Sequence, residues 1–254
     1  MNAGEPRVLL NSPLEGVSVG QALFVRTALR EQLRLQAEFL ERLGKSPFSR
    51  QFVLCGGAAL HGVFLHKRCS ANLDLVAPAV IVARFNELAI SCGIGLEKAR
   101  VHNSFVLKDR STTLKDLRIS VRLSIARSNA QKHESNFFVT PMGHSVPVNV
   151  PPLADLVGQK LLLVMQRMRA VDVLDVWLAV NERPELLQAI ERIVSVDPEL
   201  VATFPVSLEE LSSRLGCVKD GWAASLQHLI YPVPEFDLVF QDLRRFLTRI
   251  ATSA

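Results

Sequence analysis

Phe52–Val76 reads FVLCGGAALHGVFLHKRCSANLDLV, and the fold is decided by how this stretch is parsed. Gln51–Cys55 is a short apolar run closed by Gly56-Gly57, which predicts a buried strand followed by a tight turn. Ala58–His66 then reads as a helix. In Ala71–Val76 the order Asn72, Leu73, Asp74, Leu75 alternates polar and apolar, the period of a strand with one polar face. Strand, glycine turn, helix and polar-faced strand together make a phosphate-handling unit. Glycines let backbone N–H groups approach a phosphate with no Cβ in the way. Residues two apart on a strand point to one side, so an acidic pair at that spacing presents both side chains to one site. Metal ions held there would stabilise the attacking and leaving oxygens of an in-line displacement at phosphorus. A Gly-Gly pair alone is equally a plain entry to a helix.

Outward from this stretch the pattern stays mixed, then turns helical. Ser18–Leu43 places Val25, Leu29, Leu33, Leu40 and Leu43 on one helix face, and Gly44 and Pro47 stop it. Val80–Cys92 reads as an amphipathic helix. Val101–Lys108 and Leu117–Ile125 read as strands joined by the polar turn 109–113. Phe137–Val150 supplies further extended pieces, closed by Pro151-Pro152. From Leu153 onward helix is expected almost without interruption, with breaks near Pro184, Pro198, Pro205 and Pro232-Val233-Pro234. The expected fold class is α+β, a mixed-sheet N-terminal lobe followed by an all-helical C-terminal lobe. The boundaries expected are a flexible N-terminus at 1–17, a first lobe at 18–150 and a helical lobe at 151–254.

The 254 residues suffice for one large core or two modest lobes. The first dozen carry Glu5 and Arg7 and no apolar core, so they do not read as a secretory signal, and no apolar run is long enough to span a bilayer. A cytoplasmic protein with no membrane association is expected. Cys55, Cys69, Cys92 and Cys217 show no C-x-x-C pairing, which points to reduced thiols rather than a zinc or disulfide framework. A net charge of +4 permits an anionic partner without requiring one. His61 and His66 lie five apart and share no helix face, so a metal role for them is not expected. The basic spread from Arg110 to Lys132 lacks interleaved aromatics and reads as a solvated loop.

The same stretch resembles the AbiEii type of abortive-infection toxin, a nucleotidyltransferase family of type IV toxin–antitoxin systems whose run reads roughly G-G-T-x-L, then R-x-S-x-D-x-D. Gly56, Gly57, Leu60, Arg68, Ser70 and Asp74 match, while Asn72 stands where the first metal-binding Asp belongs. The likeness continues through SVPVNVPPLADLVGQKLLLVMQRMRAVDVLDVWLAV, Ser145–Val180, where Lys160, Arg167, Arg169, Asp172 and Asp175 fit the pattern and Val171 replaces its Arg. The tail Trp222–Leu247 is also similar. The resemblance implies a nucleotidyltransferase-like fold, a nucleotide bound between the lobes, and a role in toxin–antitoxin or phage defence. It implies Mg²⁺ and a nucleoside triphosphate as cofactors of an active enzyme, with tRNA as an acceptor and an antitoxin or defence-complex protein as partner. By the same resemblance Asp74, Lys160 and Asp172 would be catalytic. Gly56, Gly57, Arg68, Ser70 and Lys160 would bind nucleotide, and Asp74 with Asn72 would hold metal.

Two departures qualify that transfer of roles. A third carboxylate is expected from the strand Leu117–Ile125, but the pattern sets Arg122 there, with Asp109 and Asp116 at or before the strand start. Asn72 is a neutral ligand, and Arg122 adds positive charge where a cation should sit. Arg122 would either neutralise a phosphate or pair with Asp74. Two functions follow from different classes. One is a nucleotide-binding toxin with weak or altered transferase activity; the other is an inactive pseudoenzyme acting as a binding or scaffold subunit, with no cofactor. The plainer roles are that Arg68 braces its loop by pairing with a carboxylate, Ser70 caps local backbone, and Asp172 and Asp175 orient Arg167 or Arg169.

Overall fold

A computed structural model describes residues 19–70, 72–85, 87, 96–98, 104–108, 118–125, 132–140, 143–197, 208–230 and 232–253. The chain divides into two compact units, Met1–Pro152 and Leu153–Ala254. The expected flexible N-terminus, 1–17, lies outside the described residues, as do Asp109 and Asp116.

The first unit is built on seven strands in the order β3-β4-β5-β2-β1-β7-β6. They are β1 (Val53–Cys55), β2 (Asn72–Ala77), β3 (Leu96–Lys98), β4 (Ser104–Lys108), β5 (Arg118–Ile125), β6 (Glu134–Val139) and β7 (Ser145–Val150). β2 with β5 and β1 with β7 are parallel and the other neighbours antiparallel, so the sheet is mixed. Its inner face carries Leu54, Leu73, Leu75, Val121 and Leu123, all buried. Helix α1 (Val19–Gly44) packs against β7 and β5 and buries Leu33, Leu40 and Leu43.

The short second helix departs from the sequence reading in where it starts. It runs from Gly56 without an intervening turn, as α2 (Gly56–Ala59) continuing into a π-helical stretch, Leu60–Leu65. Gly56 adopts φ +64°, so a single residue redirects the chain from strand to helix. Gly62 then lets the π-helical stretch lie against β6, since a Cβ there would sit 2.2 Å from the buried Phe138 ring. The expected helix at Val80–Cys92 is described only as α3 (Ala79–Ala83). The extended pieces expected at Phe137–Val150 are one antiparallel hairpin that begins at Glu134. Pro147 sits inside β7 opposite Phe137, whose own N–H donates to the Asn136 side chain, at 2.9 Å.

The second unit is all helix among its described residues: α4 (Leu153–Arg167), α5 (Ala170–Glu182), α6 (Leu187–Val196), α7 (Leu208–Lys219), α8 (Trp222–Leu226) and α9 (Phe236–Ser253). Leu156, Leu161 and Val164 of α4 and Val173, Leu174 and Val176 of α5 are fully or nearly fully buried. α4 also packs on α6, where Gly158 admits the Ile193 side chain. The break between α4 and α5 has neither Gly nor Pro. Met168 makes it by adopting φ +46°, with its N–H closing on Val164 O, and Arg169 is extended before the next helix. A left-handed non-glycine residue costs about 1–2 kcal/mol, which the contacts it enables must offset.

Candidate functional site

β1 ends in extended backbone at Cys55, and Gly56 turns at once into the helix. Cys55 pairs with Asp74 across the antiparallel β1–β2 ladder, so Asp74 meets the chain where it changes direction. The approach is close: a Cβ on Gly56 would lie 2.4 Å from Asp74 Oδ2. Glycine is therefore required twice, by its backbone angle and by the carboxylate beside it. Along β2 the residues alternate, with Leu73, Leu75 and Ala77 buried and Asn72, Asp74 and Val76 partly exposed on the other face.

Arg122 stands directly across from Asp74 in the parallel β2–β5 pair. Its Nε lies 2.6 Å from Asp74 Oδ1, and its Nη2 donates to Oδ2 at 3.0 Å. Both carboxylate oxygens are engaged by one guanidinium. The pair stays open to solvent, with side-chain exposures of 45% for Arg122 and 28% for Asp74. Beside it Cys55 is buried; desolvation and the Asp74 charge push its thiol up to about 12, so it is no nucleophile near neutral pH.

The other wall is fixed by the loop leading into β2. Arg68 is buried and donates from Nη1 to Cys69 O at 2.6 Å, with Nη2 against Gly57, where a Cβ would approach it to 2.6 Å. Ser70 Oγ donates to Asn72 O at 3.0 Å, and Gln36 of α1 donates from Nε2 to Ser70 O at 2.8 Å. Ser70 thus bonds local backbone, and Arg68 holds its loop through a backbone carbonyl, where the brace expected was a carboxylate.

These residues do not fit a divalent cation. Mg²⁺ is bound through carboxylate oxygens, usually with several waters retained. Here Asp74 has both oxygens on Arg122, Asn72 is neutral, and no group of three or more metal-ligating side chains occurs among the described residues.

The site thus sits on a mixed sheet, at a strand–glycine–helix–strand unit, with its acidic residue on the second strand. A profile of the family "Nucleotidyl transferase AbiEii toxin, Type IV TA system" matches residues 38–248. The chain belongs to the AbiEii nucleotidyltransferase toxin family. Its fold is similar to that of MenT4, a nucleotidyltransferase toxin from Mycobacterium tuberculosis H37Rv, with a TM-score of 0.57 and 20% identity over 94% of each chain. JHP933 from Helicobacter pylori matches with a TM-score of 0.49 and 14% identity, over 88% of this chain and 92% of that one. Among curated proteins, none matches the sequence. No helix among the described residues is long and apolar enough to cross a membrane.

The remaining positions of the resemblance lie in the helical unit, where Lys160, Arg167, Asp172 and Asp175 form a cluster. Lys160 is buried on α4, and its Nζ lies 2.8 Å from Asp172 Oδ1 and 2.8 Å from Asp175 Oδ2. Arg167 adds Nε to Asp172 Oδ2 at 2.8 Å and Nη2 to Oδ1 at 3.1 Å. The left-handed Met168 makes this possible by folding the first turn of α5 back toward α4. Burial pushes the Asp172 carboxyl up, but the Arg167 hydrogen bonds and the Lys160 charge outweigh it and hold the group below its ordinary 3.8. The sequence singles out every member of this cluster, and the expected pairing of an aspartate with Arg167 is present at Asp172. Lys160 is the partner the two aspartates share, and the Arg169 carbonyl accepts from the Asp172 N–H at 2.9 Å. The cue available was an isolated Lys on an apolar helix, which inside a unit calls for buried carboxylates.

Proposed function

We propose that this AbiEii-family chain binds a nucleoside triphosphate on the Asp74 face of its sheet, around Gly56, Gly57 and Arg122. It acts there as a weak or altered nucleotidyltransferase within a toxin–antitoxin or phage-defence setting. The observation that carries this reading is the two-point Arg122–Asp74 pair, which takes the one carboxylate that AbiEii-type chemistry would give to a metal. A transferase that must first lose this pair turns over slowly. In this reading Gly56, Gly57, Arg68 and Ser70 shape the phosphate-binding backbone, Asp74 and Arg122 face the ligand, and Asn72 adds a neutral oxygen. Lys160 and Asp172 act within the helical unit, where their mutual pairing supports a bracing role.

The engagement of both Asp74 oxygens by Arg122, with a neutral Asn72 beside them, supports a second reading, a pseudoenzyme that keeps the fold and a binding surface. One experiment separates the two. Wild-type protein is incubated with labelled nucleotides, Mg²⁺ or Mn²⁺ and total tRNA, beside Asn72→Asp, Arg122→Asp and the double variant. Faint wild-type transfer, raised more in the double variant than the singles add up to, supports the first reading. No transfer from any variant supports the pseudoenzyme. Robust wild-type incorporation that vanishes in Asp74→Ala refutes both.

A further inference from the structure

We propose that Arg122 takes the place of a divalent cation in this site and that the chain binds the polyphosphate of a nucleoside triphosphate without metal. This inference rests on the nucleotide-site reading above and adds what recognises the phosphates.

The geometry supports a bridge rather than a lock. A guanidinium carries five N–H donors in a fixed plane. Asp74 occupies Nε and one donor of Nη2, so three of the five N–H groups are not used by it, on a side chain that is 45% exposed. A carboxylate that grips one edge of the fork holds its plane still, and a held fork matches phosphate oxygens at two points. Asp74 then becomes a positioning residue for an arginine instead of a ligand for a metal. The neighbouring residues on β5, Val121 and Leu123, are buried, which anchors the strand from which Arg122 projects.

Charge and access agree. Asp74 and Arg122 cancel and Asn72 is neutral, so these three residues leave no unneutralised carboxylate to draw a cation. The remaining N–H groups of a charged guanidinium attract phosphate oxygens and repel a metal ion. With Arg122 nearly half exposed, a triphosphate reaches those donors with no rearrangement of the core.

The test is equilibrium binding of ATP, GTP, CTP and UTP, with inorganic tripolyphosphate as a base-free probe, to the full chain in excess EDTA and again in Mg²⁺. Wild type is expected to bind at least one of these in EDTA. Arg122→Gln should lose about tenfold or more in affinity, the worth of one charged hydrogen bond. Arg122→Lys, which keeps the charge but not the fork, should recover only part of the loss. Asp74→Asn should weaken binding severalfold through loss of alignment. Circular dichroism and the melting temperature check that each variant is folded; position 122 is exposed, so the Gln and Lys variants should melt with wild type. Binding that requires Mg²⁺, or that survives Arg122→Gln, overturns this inference and leaves the nucleotide site standing. No binding with or without Mg²⁺ overturns both.

Discussion

Replacing Lys160 with Met removes one charge from a cluster in which both carboxylates are fully buried. Met keeps most of the volume and the apolar stem, so packing on α4 changes little. The electrostatics change a great deal. Asp172 retains Arg167 through two hydrogen bonds, but Asp175 loses the ammonium 2.8 Å from its Oδ2. Breaking a buried pair by removing one partner costs about 3–5 kcal/mol. The surviving Arg167 contacts place this case at the lower end, about 3 kcal/mol. Both tryptophans, Trp177 and Trp222, lie in the helical unit, so urea unfolding followed by Trp fluorescence reports on the unit that carries the change. For a chain of this size the loss equals a fall of about 6–12 °C in melting temperature. Adding Asp175→Asn should restore about half the loss, because a neutral amide in place of the carboxylate removes a buried charge that Lys160 no longer helps to neutralise. A loss below about 1 kcal/mol for Lys160→Met, with the slope unchanged, would refute the claim that this cluster holds the helical unit together.

Gly56→Ala should destabilise the sheet unit by about 1–2 kcal/mol from its left-handed backbone alone, and more from the encounter with Asp74, read as a lowered urea midpoint. The same change at Gly44, where a Cβ would meet nothing within 4 Å, should be mild by the same measurement. Because Asp172 is held below its ordinary 3.8, the unfolded chain takes up its proton first as pH falls. Its contribution to stability should therefore be constant above about pH 5 and decline below about pH 4, with a shallower slope in Asp172→Asn. Cys217 is exposed, whereas burial lifts the thiols of Cys55 to about 12 and Cys69 to about 11. Iodoacetamide at about pH 8, followed by mass spectrometry, should label Cys217 well before either of them.

What could be read from the sequence depended on whether local pattern or distant contact set the outcome. Asn72 and Asp74 share a face because a strand repeats every two residues, and the same alternation picked out Arg122 on β5. Their meeting needed only the parallel register of the two strands. The helix starting at Gly56 was hidden because a glycine pair signals a turn just as well, and only Asp74 pressing on that backbone decides between them. The three-residue strand Leu96–Lys98 is too short to show a period. Met168 was illegible for another reason. Nothing in Arg167-Met168-Arg169 breaks a helix locally, and the bend is maintained by the buried charges it brings together. Lys160 could therefore not be matched to its partners before the bend was known.

The hairpin of β6 and β7 has a consequence for how this protein behaves in company. Among the described residues β6 ends the sheet, and a terminal strand offers its outward amides to any extended chain that drifts past. Midway along it Phe137 leaves its ring largely bare, the kind of apolar lure that would recruit a stranger. Yet the Phe137 amide is already spoken for by the Asn136 side chain, at 2.9 Å. An incoming strand would have to evict that side chain before its first central hydrogen bond could form. One asparagine thus works as a bolt on the open side of the sheet, guarding the amide beside the exposed Phe137 ring.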